Sequence, residues 1–186
     1  YEPKEGDILG AEVWAPELTY IQGKWYIYVC GVAYGTVRGD GNNMKMFVLE
    51  CESQDPTGTW KDPVRLYPKG FNDYYTIDGH AFEYKGQLYY VFSGQKEGWL
   101  GSLGEDRRPL LYITKMSSPT ECTNDTAVCI SKGSDLEEGP CTIVDGNDVY
   151  LMYSAGTWNG GDYNNSNDYH LEYYKLSGAN LLSSNS

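Results

Sequence analysis

One strand–turn–strand sequence pattern occurs three times in this chain of 186 residues and constrains its fold more than any other feature. Each copy has a glycine at the turn: residues 14–29 with Gly23, residues 76–93 with Gly86, and residues 138–154 with Gly146. The flanking segments are rich in aromatic and β-branched side chains, which predicts β-strands joined by short turns. A repeat of about 60 residues with several strands per unit is typical of a β-propeller.

The strand pattern predicts an all-β protein built from four-stranded antiparallel units. We expect a single partial propeller domain over residues 1–186, with blade-like units at about 11–68, 72–133 and 134–182. The outer strands of the first two units are predicted at 60–67 and 127–132, whereas the third unit shows no fourth strand. Because propellers usually have four to eight blades, three units make an incomplete ring.

An incomplete ring leaves two apolar sheet faces without a neighbouring blade. We expect these faces to be formed by alternating side chains of the two end units: Tyr26, Tyr28 and Cys30 in the first, and Val149, Leu151 and Tyr153 in the third. Large apolar patches are uncommon on monomers, so we expect self-association or binding of a complementary propeller segment. The alternative is that the terminal segments 1–13 and 177–186 fold back over the gaps.

Composition narrows the classes of partner. The net charge of −12 disfavours nucleic acid and anionic membrane surfaces, and no apolar run approaches the ~20 residues of a membrane span. The 18 Tyr and 5 Trp residues suit either a sugar-binding groove or ordinary strand packing. The sequons at Asn124 and Asn164 are typical of a secreted, N-glycosylated protein.

The five cysteines cannot all pair within one monomer. Cys122 and Cys129 flank a short loop and are expected to form a disulfide. Cys30 and Cys51 are a second candidate pair, which leaves Cys141 as a buried thiol in a core strand. The alternative is that all five are reduced and buried. No Cys/His spacing indicates a zinc site.

Acidic side chains stand at related places in the three copies. Asp78 and Glu138 each precede their turn glycine by eight residues, and Glu17 precedes Gly23 by six. Because side chains alternate along a strand, these even offsets predict that all three carboxylates lie on equivalent faces. Two carboxylates at one cleft are what glycoside hydrolysis requires. The alternative for each is an acidic residue that caps a turn or accepts backbone N–H groups.

Several motifs resemble successive motifs of glycoside hydrolase family 43. They are Glu-Val-Trp-Ala-Pro-Glu at 12–17, Ile-Asp-Gly-His-Ala-Phe at 77–82 and Glu-Glu-Gly-Pro at 137–140, with 44–50 and 153–158 similar to its arabinofuranosidase-like branches. The resemblance implies a five-bladed propeller that hydrolyses arabinose- or xylose-containing side chains of plant cell-wall polysaccharides, such as arabinan or arabinoxylan, with inversion. It implies no required cofactor, and this chain does not support the structural calcium that some members hold.

The resemblance also implies roles for individual residues. Glu138 would be the general acid, and Asp78 would orient it and raise its pKa. The expected substrate-binding set is Trp14, Glu17, His80, Tyr34 and Trp158. The family's general base lies on a blade N-terminal to the Trp-Ala-Pro-Glu motif, and no match to it is found here. Asp7 is the only upstream Asp, and its surroundings do not match the base's motif.

Two functions from different classes therefore fit the sequence. The first is a hydrolase of which this chain supplies the acid-bearing part. The second is a non-catalytic carbohydrate-binding or propeller-completing protein derived from the same family. The sequence does not encode arabinose or xylose preference in any readable form.

Overall fold

The protein is described by a computed structural model that covers residues 2–36, 44–95, 109–132, 136–156 and 169–183. In chain order the described strands are β1 (Ala11–Ile21), β2 (Lys24–Val32), β3 (Lys45–Glu50), β4 (Val64–Arg65), β5 (Tyr75–Tyr84), β6 (Gln87–Gln95), β7 (Leu110–Ser118), β8 (Glu121–Cys122), β9 (Val128–Cys129), β10 (Leu136–Asp145), β11 (Asp148–Gly156) and β12 (His170–Ser177). A short 3₁₀ helix follows at Leu181–Ser183. No helix in these ranges is long and apolar enough to cross a membrane.

The strands form three antiparallel sheets, which confirms the predicted all-β fold. The first sheet has the order β1-β2-β3-β4, and the third has the order β10-β11-β12. In the second sheet β5, β6 and β7 are neighbours, and β7 pairs with both β8 and β9 on its far side. The outer strand β4 is shorter than the predicted 60–67 because Pro63 and Pro68 lie on either side of it, and proline cannot donate to a ladder.

The second sheet lies between the other two and is buried on both faces. Even-numbered residues of β6, such as Tyr90 and Phe92, join the core shared with the first sheet. Odd-numbered residues, such as Tyr89 and Val91, join the core shared with the third sheet. Burial on both faces explains why β6 reads as a nearly continuous apolar run rather than an alternating one.

The faces that we expected to be open are instead internal. Tyr26, Tyr28 and Cys30 are buried in the core between the first and second sheets. Val149, Leu151 and Tyr153 are buried in the core between the second and third sheets. The prediction of which alternating set faces outward was wrong, because periodicity separates the two faces of a strand without saying which face meets the neighbouring sheet.

The true outer faces differ from each other. On the first sheet, Val29, Phe47 and Leu49 pack with Leu9, so the N-terminal segment covers part of this face. On the third sheet, the outer face carries Ile143, Leu171 and Tyr173, which are 54%, 83% and 65% exposed. An apolar face therefore remains uncovered at one end of the stack, within the described residues.

The expected disulfide between Cys122 and Cys129 is absent, and none of the five cysteines forms a disulfide. Both residues pair with β7, but Cys122 lies opposite Met116 and Cys129 lies opposite Tyr112. Four residues of strand separate these positions by roughly 13 Å. A disulfide needs Cα atoms within about 7 Å, so the two thiols cannot meet.

The predicted pair of Cys30 with Cys51 and the predicted burial of Cys141 were also wrong, whereas the alternative that all five are reduced holds without the burial of all five. Cys30 lies opposite Met46, whereas Cys51 continues β3 beyond the pair formed by Tyr26 and Glu50. The two thiols are therefore about five residues apart along the hairpin, again beyond disulfide reach. Cys141, expected to be buried, is exposed.

Two neighbouring buried tyrosines provide a test of this packing. Tyr28 and Tyr90 have ring centroids 5.9 Å apart, and the Tyr28 hydroxyl donates to the carbonyl of Pro119 at 2.7 Å. The Tyr90 hydroxyl is buried without a hydrogen-bond partner among the described residues.

We expect Tyr28→Phe to lower the free energy of unfolding by about 1 kcal/mol, because it removes a buried hydrogen bond and leaves a carbonyl unpaired. Tyr90→Phe serves as the matched control and should leave stability unchanged or raise it by up to ~1 kcal/mol. Urea denaturation of both variants measures the difference. Equal destabilisation by the two substitutions would contradict the hydrogen-bond assignment.

Candidate active site

We call the first strand of each sheet, which is β1, β5 or β10, its inner strand. Each inner strand carries a one-residue bulge at the same level. In β5, Asp78 and Gly79 together lie opposite the single residue Phe92, because the register shifts between Ile77 and His80. Corresponding shifts occur in β1 between Trp14 and Glu17 and in β10 between Glu138 and Cys141. Bulges bend a strand and re-aim a side chain, and they are common beside active sites.

The backbone at these bulges is left-handed. Ala15, Asp78 and Gly139 have φ values of 46°, 52° and 61°. Asp is one of the few residues other than glycine that adopts this conformation readily. Gly79 is also required, because a Cβ there would lie 1.8 Å from the Tyr90 hydroxyl oxygen. The local geometry thus requires Gly79 and is compatible with Asp78.

The expected equivalence of Asp78 and Glu138 was wrong. In the second sheet the last ladder pair joins Tyr84 and Gln87, so Gly86 is the second residue of its turn. In the third sheet the last pair joins Asp145 and Asp148, so Gly146 is the first residue of its turn, where type II′ turns place glycine. Counted along the ladders, Glu138 corresponds to Ile77 and Trp14, and Asp78 corresponds to Gly139 and Ala15.

Asp78 nevertheless reaches the strand of the third sheet that carries Glu138. The backbone N–H of Gly139 donates to Asp78 Oδ2 at 3.0 Å. Glu138 is the residue immediately before that amide. The acidic pair is therefore built by a contact between two bulges rather than by matching positions in two blades.

Burial and mutual repulsion set the protonation of this pair. The pKa of Glu138 is raised, first by burial and then by the negative charge of Asp78, while a hydrogen bond from Tyr169 acts in the opposite direction. Burial raises the pKa of Asp78 as well, against the hydrogen bond from the Gly139 N–H. Both shifts favour the protonated form of the carboxyl group, which is the form that a general acid needs.

A chain of hydrogen bonds links the three inner strands beside the bulges. Glu17 Oε1 lies 2.5 Å from His80 Nδ1, and His80 Nε2 lies 2.8 Å from the Thr142 hydroxyl. The His80 ring also stacks on Phe82, with centroids 5.9 Å apart. Both Glu17 and His80 were expected to bind substrate, and their side chains here connect β1, β5 and β10 to one another.

The remaining expected residues are less closely grouped. Trp14 is half-buried against the core of the first two sheets, and its carbonyl accepts a hydrogen bond from Cys30 Sγ at 3.4 Å. Tyr34 is 49% exposed, and its backbone N–H donates to the carbonyl of Asp7 at 3.0 Å. The Asp7 carboxylate accepts the N–H of Lys4 at 2.9 Å, as in a local turn. Trp158 lies outside the described residues.

Two residues near the acidic pair were missed from the sequence. Glu137 is buried and accepts hydrogen bonds from the hydroxyls of Ser131 at 2.6 Å and Tyr174 at 2.7 Å, which anchors the strand just before Glu138. Tyr169 donates to Glu138 Oε2 at 3.0 Å. An acidic residue at the start of an apolar strand was a readable signal for Glu137, whereas Tyr169 belongs to no motif.

Among the residues that the structure describes, no group of three or more His, Cys, Asp or Glu side chains is arranged to hold a metal ion. The site consists instead of two carboxyl groups on neighbouring inner strands, one tyrosine hydroxyl and the hydrogen-bond chain formed by Glu17, His80 and Thr142. Three stacked antiparallel sheets with such a pair define a segment of a β-propeller, and a pair of carboxyl groups is what glycoside hydrolysis employs.

The chain belongs to the glycosyl hydrolases family 43, whose family model matches residues 2–185. The family resemblance expected from the motifs is thus confirmed. A solved α-L-arabinofuranosidase from Lactobacillus brevis superposes with a TM-score of 0.75 at 24% identity, over 98% of this chain and 55% of that one. This similarity confirms the propeller fold class.

Characterised relatives are longer than this chain. The extracellular exo-α-(1→5)-L-arabinofuranosidase of Streptomyces avermitilis is 29% identical over 156 residues, which make up 80% of this chain and 30% of that protein. Arabinan endo-1,5-α-L-arabinosidase A of Aspergillus aculeatus is 27% identical over 170 residues, 89% of this chain and 47% of that protein. The chain therefore spans between about a third and about half of the length of these relatives.

Proposed function

We propose that this chain is the acid-bearing part of an inverting glycosidase that acts on arabinose-containing side chains of plant cell-wall polysaccharides. The observation that carries the proposal is the contact of Asp78 with the backbone beside Glu138 in a member of family 43. The relatives named above act on arabinofuranosyl linkages, which favours arabinose over xylose as the sugar. Arabinan and arabinoxylan are the corresponding polymers.

In the proposed reaction Glu138 is the general acid. Its proton passes to the glycosidic oxygen as the bond between that oxygen and the anomeric carbon breaks. A water molecule attacks the anomeric carbon from the opposite face and gives its own proton to a general base. The charge of Asp78 favours the protonated form of Glu138 beforehand, so Asp78 orients the acid and tunes its pKa.

The general base is the part of this mechanism for which the described residues offer no candidate. Asp7 is occupied in a turn with Lys4. In the proposal, a further propeller segment supplies the base, in keeping with relatives that are two to three times as long. The reaction needs no cofactor, because both proton transfers are made by carboxyl groups.

The same observation supports a second candidate function. A protein that keeps Glu138, Asp78 and the Glu17–His80–Thr142 hydrogen bonds but lacks a general base would bind arabinose-containing carbohydrate without hydrolysing it. It would then act as a carbohydrate-binding or propeller-completing protein. This alternative differs from the first in one measurable respect, which is turnover.

We also propose that the protein is secreted and N-glycosylated. Relatives from two Streptomyces species are named as extracellular. Asn124 lies exposed in the turn before β9, as a glycosylated asparagine must. The second sequon, at Asn164, lies outside the described residues.

The open face of the third sheet points to a partner of defined shape. The first and second sheets, and the second and third, already pack face to face in this chain. We propose that a further antiparallel sheet of the same propeller covers Ile143, Leu171 and Tyr173. In its absence a second copy of the chain provides the nearest apolar surface.

We expect the isolated chain to self-associate at low micromolar concentration, and the double variant Leu171→Ser, Tyr173→Ser to be monomeric. Val64→Ser, which changes an exposed apolar residue of the first sheet, is the matched control and should associate like the unmodified chain. Light scattering measures the mass. A cooperative monomer that binds no apolar dye would show that the face needs no partner.

The acid role is tested by the leaving group of the substrate. In the presence of the segment that supplies the base, Glu138→Gln should reduce kcat/KM about 10²- to 10⁴-fold on a methylumbelliferyl α-L-arabinofuranoside, whose leaving oxygen is more basic than dinitrophenolate and gains more from a proton. The loss should be far smaller on the 2,4-dinitrophenyl analogue, whose leaving group departs without one. Glu83→Gln, at an exposed position of β5, is the control and should leave both rates unchanged.

Equal losses on both substrates would contradict the assignment of Glu138 as the acid. Binding of arabino-oligosaccharide with no turnover of either substrate, even when the base-bearing segment is present, would support the carbohydrate-binding alternative. Parallel assays with aryl β-xylosides determine the sugar preference.

A further inference from the structure

Tyr169 contacts the acidic pair although no motif includes it. The residue lies immediately before β12, and β11 separates β12 from β10. Its side chain reaches across the end of β11, so that the hydroxyl lies 3.0 Å from Glu138 Oε2. The contact joins the edge of the third sheet to the inner strand that carries Glu138.

The hydrogen bond acts on one oxygen of the carboxyl group. In this contact the Tyr169 hydroxyl donates its single proton to Oε2, so Oε1 is the oxygen that can carry the Glu138 proton while the hydrogen bond is made. When Glu138 is protonated, its own proton therefore resides on Oε1. Because a hydrogen bond to an ionised acceptor is the stronger one, the contact favours the carboxylate over the acid.

Tyr169 and Asp78 act on Glu138 in opposite directions. Within the described part of the chain, these are the titratable groups that shift the Glu138 carboxyl, Asp78 from β5 and Tyr169 from the start of β12. The charge of Asp78 raises the Glu138 pKa, and the Tyr169 hydroxyl lowers it. Burial and the nearby Glu138 carboxylate raise the pKa of Tyr169 itself to about 12, so the phenol keeps its proton near neutral pH.

We propose that Tyr169 is a positioning residue for the acid, one that fixes the proton on Glu138 Oε1 and stabilises the carboxylate left behind after proton transfer. In that step the proton leaves Oε1 for the glycosidic oxygen, and the electron pair of the breaking bond goes to the same oxygen. Glu138 then carries a negative charge beside Asp78, and the Tyr169 hydrogen bond offsets part of this repulsion. The inference rests on the proposed function of Glu138.

The direct test is a ¹³C NMR titration of the Glu138 carboxyl carbon in the whole chain, in the unmodified protein and in Tyr169→Phe. Loss of the hydroxyl should raise the pKa of Glu138. Tyr173→Phe is the matched control, because it removes an exposed hydroxyl from the same strand and should leave the titration unchanged. An unchanged Glu138 pKa in Tyr169→Phe, with unaltered thermal melting, would overturn the inference.

The kinetic readout separates positioning from a merely structural role. In Tyr169→Phe the alkaline limb of the kcat/KM profile should move to higher pH, and kcat on the methylumbelliferyl substrate should fall about tenfold, as for one lost hydrogen bond to a charged group. A loss of activity without movement of the pH profile would contradict the proposal. Absence of turnover even when the base-bearing segment is present would contradict the proposed function, while the titration still decides whether Tyr169 controls the Glu138 proton.

Discussion

The bulge at Asp78 and Gly79 is the constraint on which the site depends. The register of β5 shifts at Asp78 and Gly79, and a bulge of this kind bends a strand and re-aims a side chain. The extra residue and the left-handed backbone turn the carboxylate across the gap between sheets, where it accepts the Gly139 N–H. The bulge in β10 places that N–H directly after Glu138. Two local irregularities, each in a different sheet, thereby create one acidic pair.

The raised pKa values that suit this pair to proton transfer also lower the free energy of unfolding once the two groups ionise. Asp78 and Glu138 both have raised pKa values in the folded chain, chiefly through burial. Their contribution to stability is therefore fully present below their pKa values in the unfolded chain and is lost as the pH rises through the folded values. Near neutral pH the pair destabilises the fold, and the two apolar cores on either side of the second sheet offset this effect. The Glu17–His80–Thr142 chain adds a polar link between the inner strands at the same level.

Much of the fold followed from the sequence, because strand residues and turn glycines obey local rules. The strands around Gly23, Gly86 and Gly146 were predicted to within a few residues, and the motifs indicated the family. The predicted correspondence of Asp78 with Glu138 failed because Gly146 occupies a different turn position from the other two glycines. Only the strand pairing reveals this difference. The disulfide at Cys122 and Cys129 failed because loop length does not report strand register. The contact of Tyr169 with Glu138 could not be predicted for a related reason, since a contact across the end of β11 leaves no local sequence pattern.

The central claim is that Asp78 reaches the third sheet through its bulge and acts on the backbone beside Glu138. The amide resonance of Gly139, followed by ¹H–¹⁵N NMR as a function of pH, tests it directly. The account predicts a Gly139 proton shifted downfield that titrates with a midpoint above the ordinary range of an aspartate, and loss of this titration in Asp78→Asn. A Gly139 amide that does not respond to pH in the unmodified chain, or that titrates identically in Asp78→Asn, would contradict it.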